Sequence, residues 1–262
     1  MEVAARLSPP LVSHLRVALD DEHVLTVFDG WSELAEAVRT RPIDAVVVDP
    51  RADGRIQIDE IRALVGRHPT LPIVVYSALT PEALKAAVEL AKYGIHYVVL
   101  RGFDDEPRRF RDLIERLPAQ RLTGIVLQGL SSRLAEGPPM LHRAVIRMFE
   151  APHAFQKVPD LAFAAGMTRR NLDRWLERLG LASARMLIFG ARFTRALYYM
   201  RDPGYLLDDI TQKLGYTNAR LFARQVRAAT GLTPSMLRDH AEPEKLLEQL
   251  TAKLCRQEGS DE

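Results

Sequence analysis

Cysteine is nearly missing from this chain: Cys255 is the single one in 262 residues. That excludes an internal disulfide framework and fits a reducing compartment. No His or basic cluster neighbours Cys255 in sequence, so nothing marks it as a reactive thiol. Long apolar runs are absent as well. No window approaches twenty uninterrupted apolar residues, which argues against a membrane span. The opening MEVAARLSPP is too weakly apolar for a secretory signal, so a cytoplasmic location is expected. There is no Gly-rich phosphate loop and no Cys–His pairing. The seven histidines (His14, His23, His68, His96, His142, His153 and His240) show neither metal-ligand spacing nor a nucleophile partner. An enzyme is therefore the weakest of the functional classes, and no cofactor is expected.

What is present fits two domains. The length exceeds what one core usually takes, and 47% hydrophobic and 27% charged residues are ordinary for a globular protein. A net charge of +2 conceals an asymmetry. Residues 1–140 hold 17 Lys+Arg against 20 Asp+Glu, residues 141–240 hold 16 against 8, and residues 241–262 hold 3 against 6. A basic excess gathered in one segment is the electrostatic footprint of nucleic-acid binding, although a solvated basic face would look the same by charge alone.

The first half alternates strand and helix patterns. VAARL (Val3 to Leu7), HVLTVF (His23 to Phe28), DAVVVD (Asp44 to Asp49), IVVYS (Ile73 to Ser77) and IHYVVL (Ile95 to Leu100) read as strands, the last three as continuous buried runs. Between and after them lie helical patterns: LVSHLRVAL, WSELAEAVR, IQIDEIRALVGRH, PEALKAAVELAKYG and EPRRFRDLIERL. Five such units predict an α/β, doubly wound, five-stranded parallel sheet, followed by an all-helical domain. Ligand chemistry in such a sheet belongs at the carboxyl ends of the strands, which here carry Ser8, Asp49, Ser77 and Arg101.

On those residues, positions 1–117 resemble the receiver domain of bacterial response regulators. The resemblance implies Asp49 as phospho-acceptor, Ser77 as the hydroxyl switch and Arg101 in place of the family's Lys. Two departures stand out. The family's acidic pair after the first strand is replaced by Ser8 and Pro9, and an Arg is not equivalent to a compact ammonium donor. Asp20 and Asp21 mimic that pair, but placing the first strand at Leu15–Leu19 would leave one helix missing before Asp44. Mg²⁺ needs several carboxylate oxygens in octahedral geometry. Asp49 is therefore read rather as an inherited turn residue than as a phosphorylation site, with no metal expected. The receiver-like domain (1–118) would then sense a partner or ligand, or dimerise.

A connector, 119–138, follows. Leu122 to Leu134 has helical spacing weakened by Gly124 and Gly129. Its small residues permit a homodimer contact or packing on its own domain. Gly137-Pro138-Pro139 marks the boundary of a second domain, 139–240. Its most informative stretch runs from Leu161 to Arg238, where one pattern occurs twice. LAFAAGMTRRNLDRWLERLGL and ITQKLGYTNARLFARQVRAATGLTPS each give a short apolar helix, a Gly (Gly166, Gly215), an apolar residue (Met167, Tyr216), a Thr (Thr168, Thr217) and an Arg-rich helix. That is the grammar of a helix-turn-helix, whose second helix lies in the DNA major groove. Thr168 and Thr217 are the expected caps. Leu172, Trp175, Leu176 and Leu179 should face inward in the first pair, as should Leu221, Phe222 and Val226 in the second. This leaves Arg169, Arg170, Asn171 and Arg174, with Asn218, Arg220 and Arg224, as candidate DNA-contacting residues. Arg pairs bidentately with guanine and Asn with adenine. Asp173 is an awkward charge there. It would accept from cytosine, orient a neighbouring Arg or point away. SARMLIFGARFTRALYYM (Ser183 to Met200) should be a long helix buried between the pairs.

These residues, with RFTRAL and the closing GLTPSMLR, resemble the DNA-binding domain of AraC-family transcription regulators over about Leu141 to Arg238. Thr211 and Gln225-Val226 are mild departures. The resemblance implies a monomer that contacts two successive major-groove segments of double-stranded DNA. The acidic tail, 241–262, could form a short helix with Leu246, Leu247, Leu250 and Leu254 on one face. The expected function is a sequence-specific DNA-binding transcription regulator. The alternatives are a phosphorylation-switched response regulator using Asp49, and a protein-interaction adaptor that keeps the fold without using it on DNA.

Overall fold

The computed structural model of the chain describes residues 1–19, 23–95, 97–115, 118–240 and 242–255. Asp20, Asp21, His96, Leu117 and the end of the acidic tail lie outside them. Two compact units form. The first is Met1–Pro118 together with Asp202–Leu206, and the second is Ala119–Arg201 with Leu207–Glu262.

The first unit is a five-stranded, all-parallel sheet in the order β2-β1-β3-β4-β5. Its strands are β1 (Glu2–Arg6), β2 (Val24–Val27), β3 (Ala45–Val48), β4 (Ile73–Ala78) and β5 (Tyr97–Arg101). The first strand is thus the N-terminal one, and the acidic Asp20–Asp21 pair does not follow it. Alternation sends Val3, Ala5, Val47, Val74, Tyr76 and Val99 into one core with α1 (Pro9–Leu19) and Phe110 of α5 (Pro107–Glu115). Helices α2 (Trp31–Thr40), α3 (Ile58–Arg67) and α4 (Pro81–Ala91) complete the unit, burying Leu34, Val38, Ile61, Leu64 and Leu90. Helices on both faces explain why β3 and β4 read as unbroken apolar runs. The strand order turns back between β1 and β3, so the ligand crevice of this topology opens at Arg6 and Val48-Asp49.

Segment Asp202–Leu206 belongs to this first unit, where the Tyr205 ring lies 4.5 Å from that of His68 and the Asp202 carboxylate is buried. Asp202 accepts from the Thr70 amide at 3.1 Å and the Thr70 hydroxyl at 2.8 Å, and lies 3.2 Å from Nδ1 of His68. Burial alone would raise its pKa, but the hydrogen bonds from His68, Thr70 and Gly204 hold it below the ordinary carboxylate value.

The second unit is helical throughout: α6 (Pro118–Ala135), α7 (Pro139–Glu150), α8 (Val158–Ala164), α9 (Arg169–Arg178), α10 (Ala184–Met200), α11 (Leu207–Lys213), α12 (Ala219–Thr230), α13 (Pro234–His240) and α14 (Pro243–Leu254). Apart from Arg185 and Met186, every residue of α10 is buried, as a helix enclosed by packed pairs must be. The connector helix and the tail helix meet here. A Cβ at Gly129 would collide with the Thr251 methyl, so α6 and α14 approach closely at that glycine. Leu247, Leu250 and Leu254 are buried on the inner face of α14, with Leu246 half-buried. Among the described residues no helix is long and apolar enough to cross a membrane.

Candidate nucleic-acid interface

Each helical pair is closed by a glycine in the left-handed region, Gly166 at φ 63° and Gly215 at φ 71°. An L-residue there places its Cβ against the following carbonyl, so glycine makes the tight reversal without strain. In the first pair Leu161, Ala162 and Ala165 are buried beneath α9, whose own Leu172 and Leu176 are buried in turn. Thr168 caps α9 as expected, its hydroxyl accepting from the Asn171 amide at 3.3 Å. At the start of α8, the Asp160 carboxylate reaches back to the amides of Gln156 and Lys157, both at 2.8 Å.

The expected cap of the second pair needs correction. Asn218, not Thr217, caps α12, its side-chain oxygen accepting from the Leu221 amide at 2.9 Å. Asn is at least as good a cap as Thr, and the helix begins one residue later than the parallel with the first pair suggests. The inward set also shifts. Phe222 and Val226 are fully buried, but Leu221 is only half-buried. Trp175 is likewise half-buried, and the Arg178 guanidinium stands 5.1 Å above its ring.

All seven candidate contact residues are exposed: Arg169, Arg170, Asn171 and Arg174 on α9, Asn218 at the cap of α12, and Arg220 and Arg224 on α12. Asp173 pairs with Arg169 one turn earlier, at 3.9 Å. Of the roles open to it, orienting a neighbouring Arg is the one this contact supports. Between the pairs, Arg192 of α10 lies beneath the Tyr216 ring at 5.0 Å, and the Tyr216 hydroxyl donates to Gln225 at 2.9 Å. Burial pushes the Tyr216 phenol up, against the pull of Arg192, so it stays a donor at neutral pH. Neither Arg192 nor Gln225 was read as a site residue from the sequence. An Arg inside an otherwise apolar helix was the available signal.

The strand ends of the first unit bring Asp49 and Ser77 together but not Arg101. Asp49 is buried, and its carboxylate accepts from the Ser77 hydroxyl at 2.8 Å and the Arg51 amide at 3.0 Å. Arg101 reaches His14 instead, at 3.1 Å. The residue missed by sequence reasoning is Arg6. It is 3% exposed, stands 4.8 Å from the centre of the Trp31 ring and forms an ion pair with Asp53. A charged residue within a buried strand was the clue. The Mg²⁺ that aspartyl phosphorylation requires does not fit these residues. Asp53 is spent on Arg6, and a buried guanidinium supplies positive charge at the edge where a divalent cation would need carboxylates.

Comparison with known proteins rests on the second unit. Residues 161–240 match the family model of a helix-turn-helix domain. No match among curated proteins is significant. Two solved structures are similar in part. Full-length FixJ from B. japonicum is 18% identical, with a TM-score of 0.39, covering 88% of this chain and 98% of its own. The xylose-binding transcription activator xylR is 14% identical, with a TM-score of 0.35, covering 91% of this chain and 70% of its own. The functional reading therefore rests on the helix-turn-helix domain and its geometry.

Proposed function

We propose that the chain is a sequence-specific, double-stranded-DNA-binding transcription regulator and not an enzyme. One observation carries the reading. The matched helix-turn-helix domain contains two helical pairs, and the second helix of each presents Arg and Asn side chains to solvent while its apolar face is buried. Arg169, Arg170, Asn171 and Arg174 would address one major-groove segment, and Arg220 and Arg224 the next. Asn218 would add what its amide nitrogen allows, since its oxygen holds the cap. Affinity would come mainly from phosphate contacts and discrimination from a few base edges. The test is equilibrium binding of the full chain to duplexes across a salt series. Affinity that falls steeply with salt and exceeds random-duplex binding for selected sequences is expected. Indifference to duplex at every salt concentration would favour the adaptor reading.

The first unit serves as the input side, taking a partner or ligand rather than a phosphoryl group. The Arg6–Asp53 pair and the diversion of Arg101 to His14 support this. The Asp49–Ser77 contact is what favours phosphorylation as the second reading. Incubation with acetyl phosphate and Mg²⁺ separates them. No labelled protein is expected, whereas labelling abolished by Asp49→Asn would establish the phospho-switched alternative.

A further inference from the structure

The second unit holds a cavity of about 340 Å³ among α8, the start of α9, α10 and the second helical pair. Its lining includes Lys157, Arg169, Arg185, Arg192, Tyr216 and Gln225, and no carboxylate. Lys157, Arg169 and Arg185 are exposed around it, while Arg192 is buried, at 8% exposure. Arg192 donates from Nη2 to the Phe155 carbonyl at 3.1 Å. Its buried Nε–H has no hydrogen-bond partner. Among the described residues Arg192 makes no ion pair.

A buried guanidinium without a counter-charge is costly, and three more cations are gathered beside it. Five carboxylates lie on the same elements, Asp160, Asp173, Glu177, Asp208 and Asp209, and none of them lines the cavity. Asp160 is occupied by the Gln156 and Lys157 amides, and Asp173 stands 3.9 Å from Arg169 at the exposed end. The lining itself brings four cations and no carboxylate, which leaves the cavity short of negative charge. The lining offers nothing to a metal cation, and its polar groups would be left unpaired by an apolar ligand. An anion with several acceptor oxygens would satisfy both the orphan donor and the charge.

We infer that this cavity is an anion seat that takes a phosphate group. Arg192 and Tyr216 form its fixed floor. Lys157 and Arg185 supply charge from the rim, and Arg169 links the seat to the start of α9. Two sources share the required chemistry: a backbone phosphate of the duplex held between the two helical pairs, or a free phosphorylated small molecule. Only the first source rests on the DNA-binding reading.

The test uses the full chain with inorganic pyrophosphate as probe, followed by titration calorimetry. Saturable binding is expected, weakened about tenfold or more in Lys157→Ala/Arg185→Ala, whose exposed side chains are not needed for folding. Arg192→Met should weaken it similarly, provided its circular dichroism and melting are unchanged. In parallel, the salt dependence of random-duplex binding is compared between the native chain and the rim double variant. A slope smaller by about one to two identifies the backbone phosphate as occupant. An unchanged slope with pyrophosphate binding retained in the native chain identifies a small phosphorylated ligand. Absence of saturable pyrophosphate binding together with an unchanged slope overturns the seat. If the native chain binds no duplex at all, the DNA-binding reading fails, while the pyrophosphate titration still decides the seat.

Discussion

The two helical pairs of the second unit use one backbone device and divide its side-chain duties differently. Both reverse at a positive-φ glycine followed by an apolar residue and a Thr. In the first pair that Thr caps α9, and the exposed Arg and Asn positions follow it. In the second the cap moves to Asn218, so a residue suited to reading a base holds the helix start instead. On the proposed DNA-binding role, turn geometry and groove chemistry occupy separate positions in one pair and share a position in the other. The second pair also carries the Tyr216–Gln225 hydrogen bond and the Tyr216–Arg192 stack onto α10.

The largest effects should come from the buried faces the pairs have in common. Phe222→Ala should cost about 3–5 kcal/mol and Leu172→Ala about 2–5 kcal/mol of stability, because each leaves a cavity under its recognition helix. Urea denaturation of the full chain measures both, and a negligible loss at either would break the parallel between the pairs. Next come the exposed arginines. Arg174→Ala and Arg224→Ala should each reduce discrimination for a selected duplex by about 1–3 kcal/mol without moving the unfolding midpoint. Competition binding at matched salt checks this, and a preference unaffected by one of them would reduce the interface to a single helix.

The turns should give smaller losses. Gly166→Ala should cost about 1–2 kcal/mol in backbone strain. Gly215→Ala should cost the same or slightly more, because its Cβ would land 3.0 Å from Nε2 of the exposed Gln156 side chain, which must give slightly, whereas nothing lies within 4 Å at Gly166. Thermal melting of the two variants ranks them. The caps come last, with Thr168→Ala and Asn218→Ala each losing about 1 kcal/mol. Asn218→Ser is the sharper variant, since it keeps a cap and removes the amide. Restored stability with reduced duplex affinity would show that Asn218 does both jobs, and restored affinity would confine it to capping.

Much of this organisation was legible in the sequence, because period and punctuation report local geometry directly. The apolar runs at Ala45–Val48 and Ile73–Ala78 could only be strands covered on both faces. Gly166 and Gly215 marked two turns because few other residues tolerate that conformation. Thr168 was readable as a cap because it sits directly before the helix. Thr217 misled because two good caps stand in a row there, and the choice depends on where the backbone turns. Arg6 and Arg192 were illegible as site residues for a different reason. Their partners, Asp53 and Trp31 for one, Phe155 and Tyr216 for the other, are brought close only by the fold. Likewise, the sequence placed Asp49, Ser77 and Arg101 at strand ends but could not show Arg101 turning to His14.

The most direct test of two DNA-reading helices on one chain is selection of bound duplexes from a random pool, repeated with Arg174→Ala and Arg224→Ala. The predicted result is a site with two specified segments about one helical turn, roughly 10–10.5 base pairs, apart. Each variant should relax a different segment. No enriched sequence, or a single segment relaxed by both variants, would contradict it.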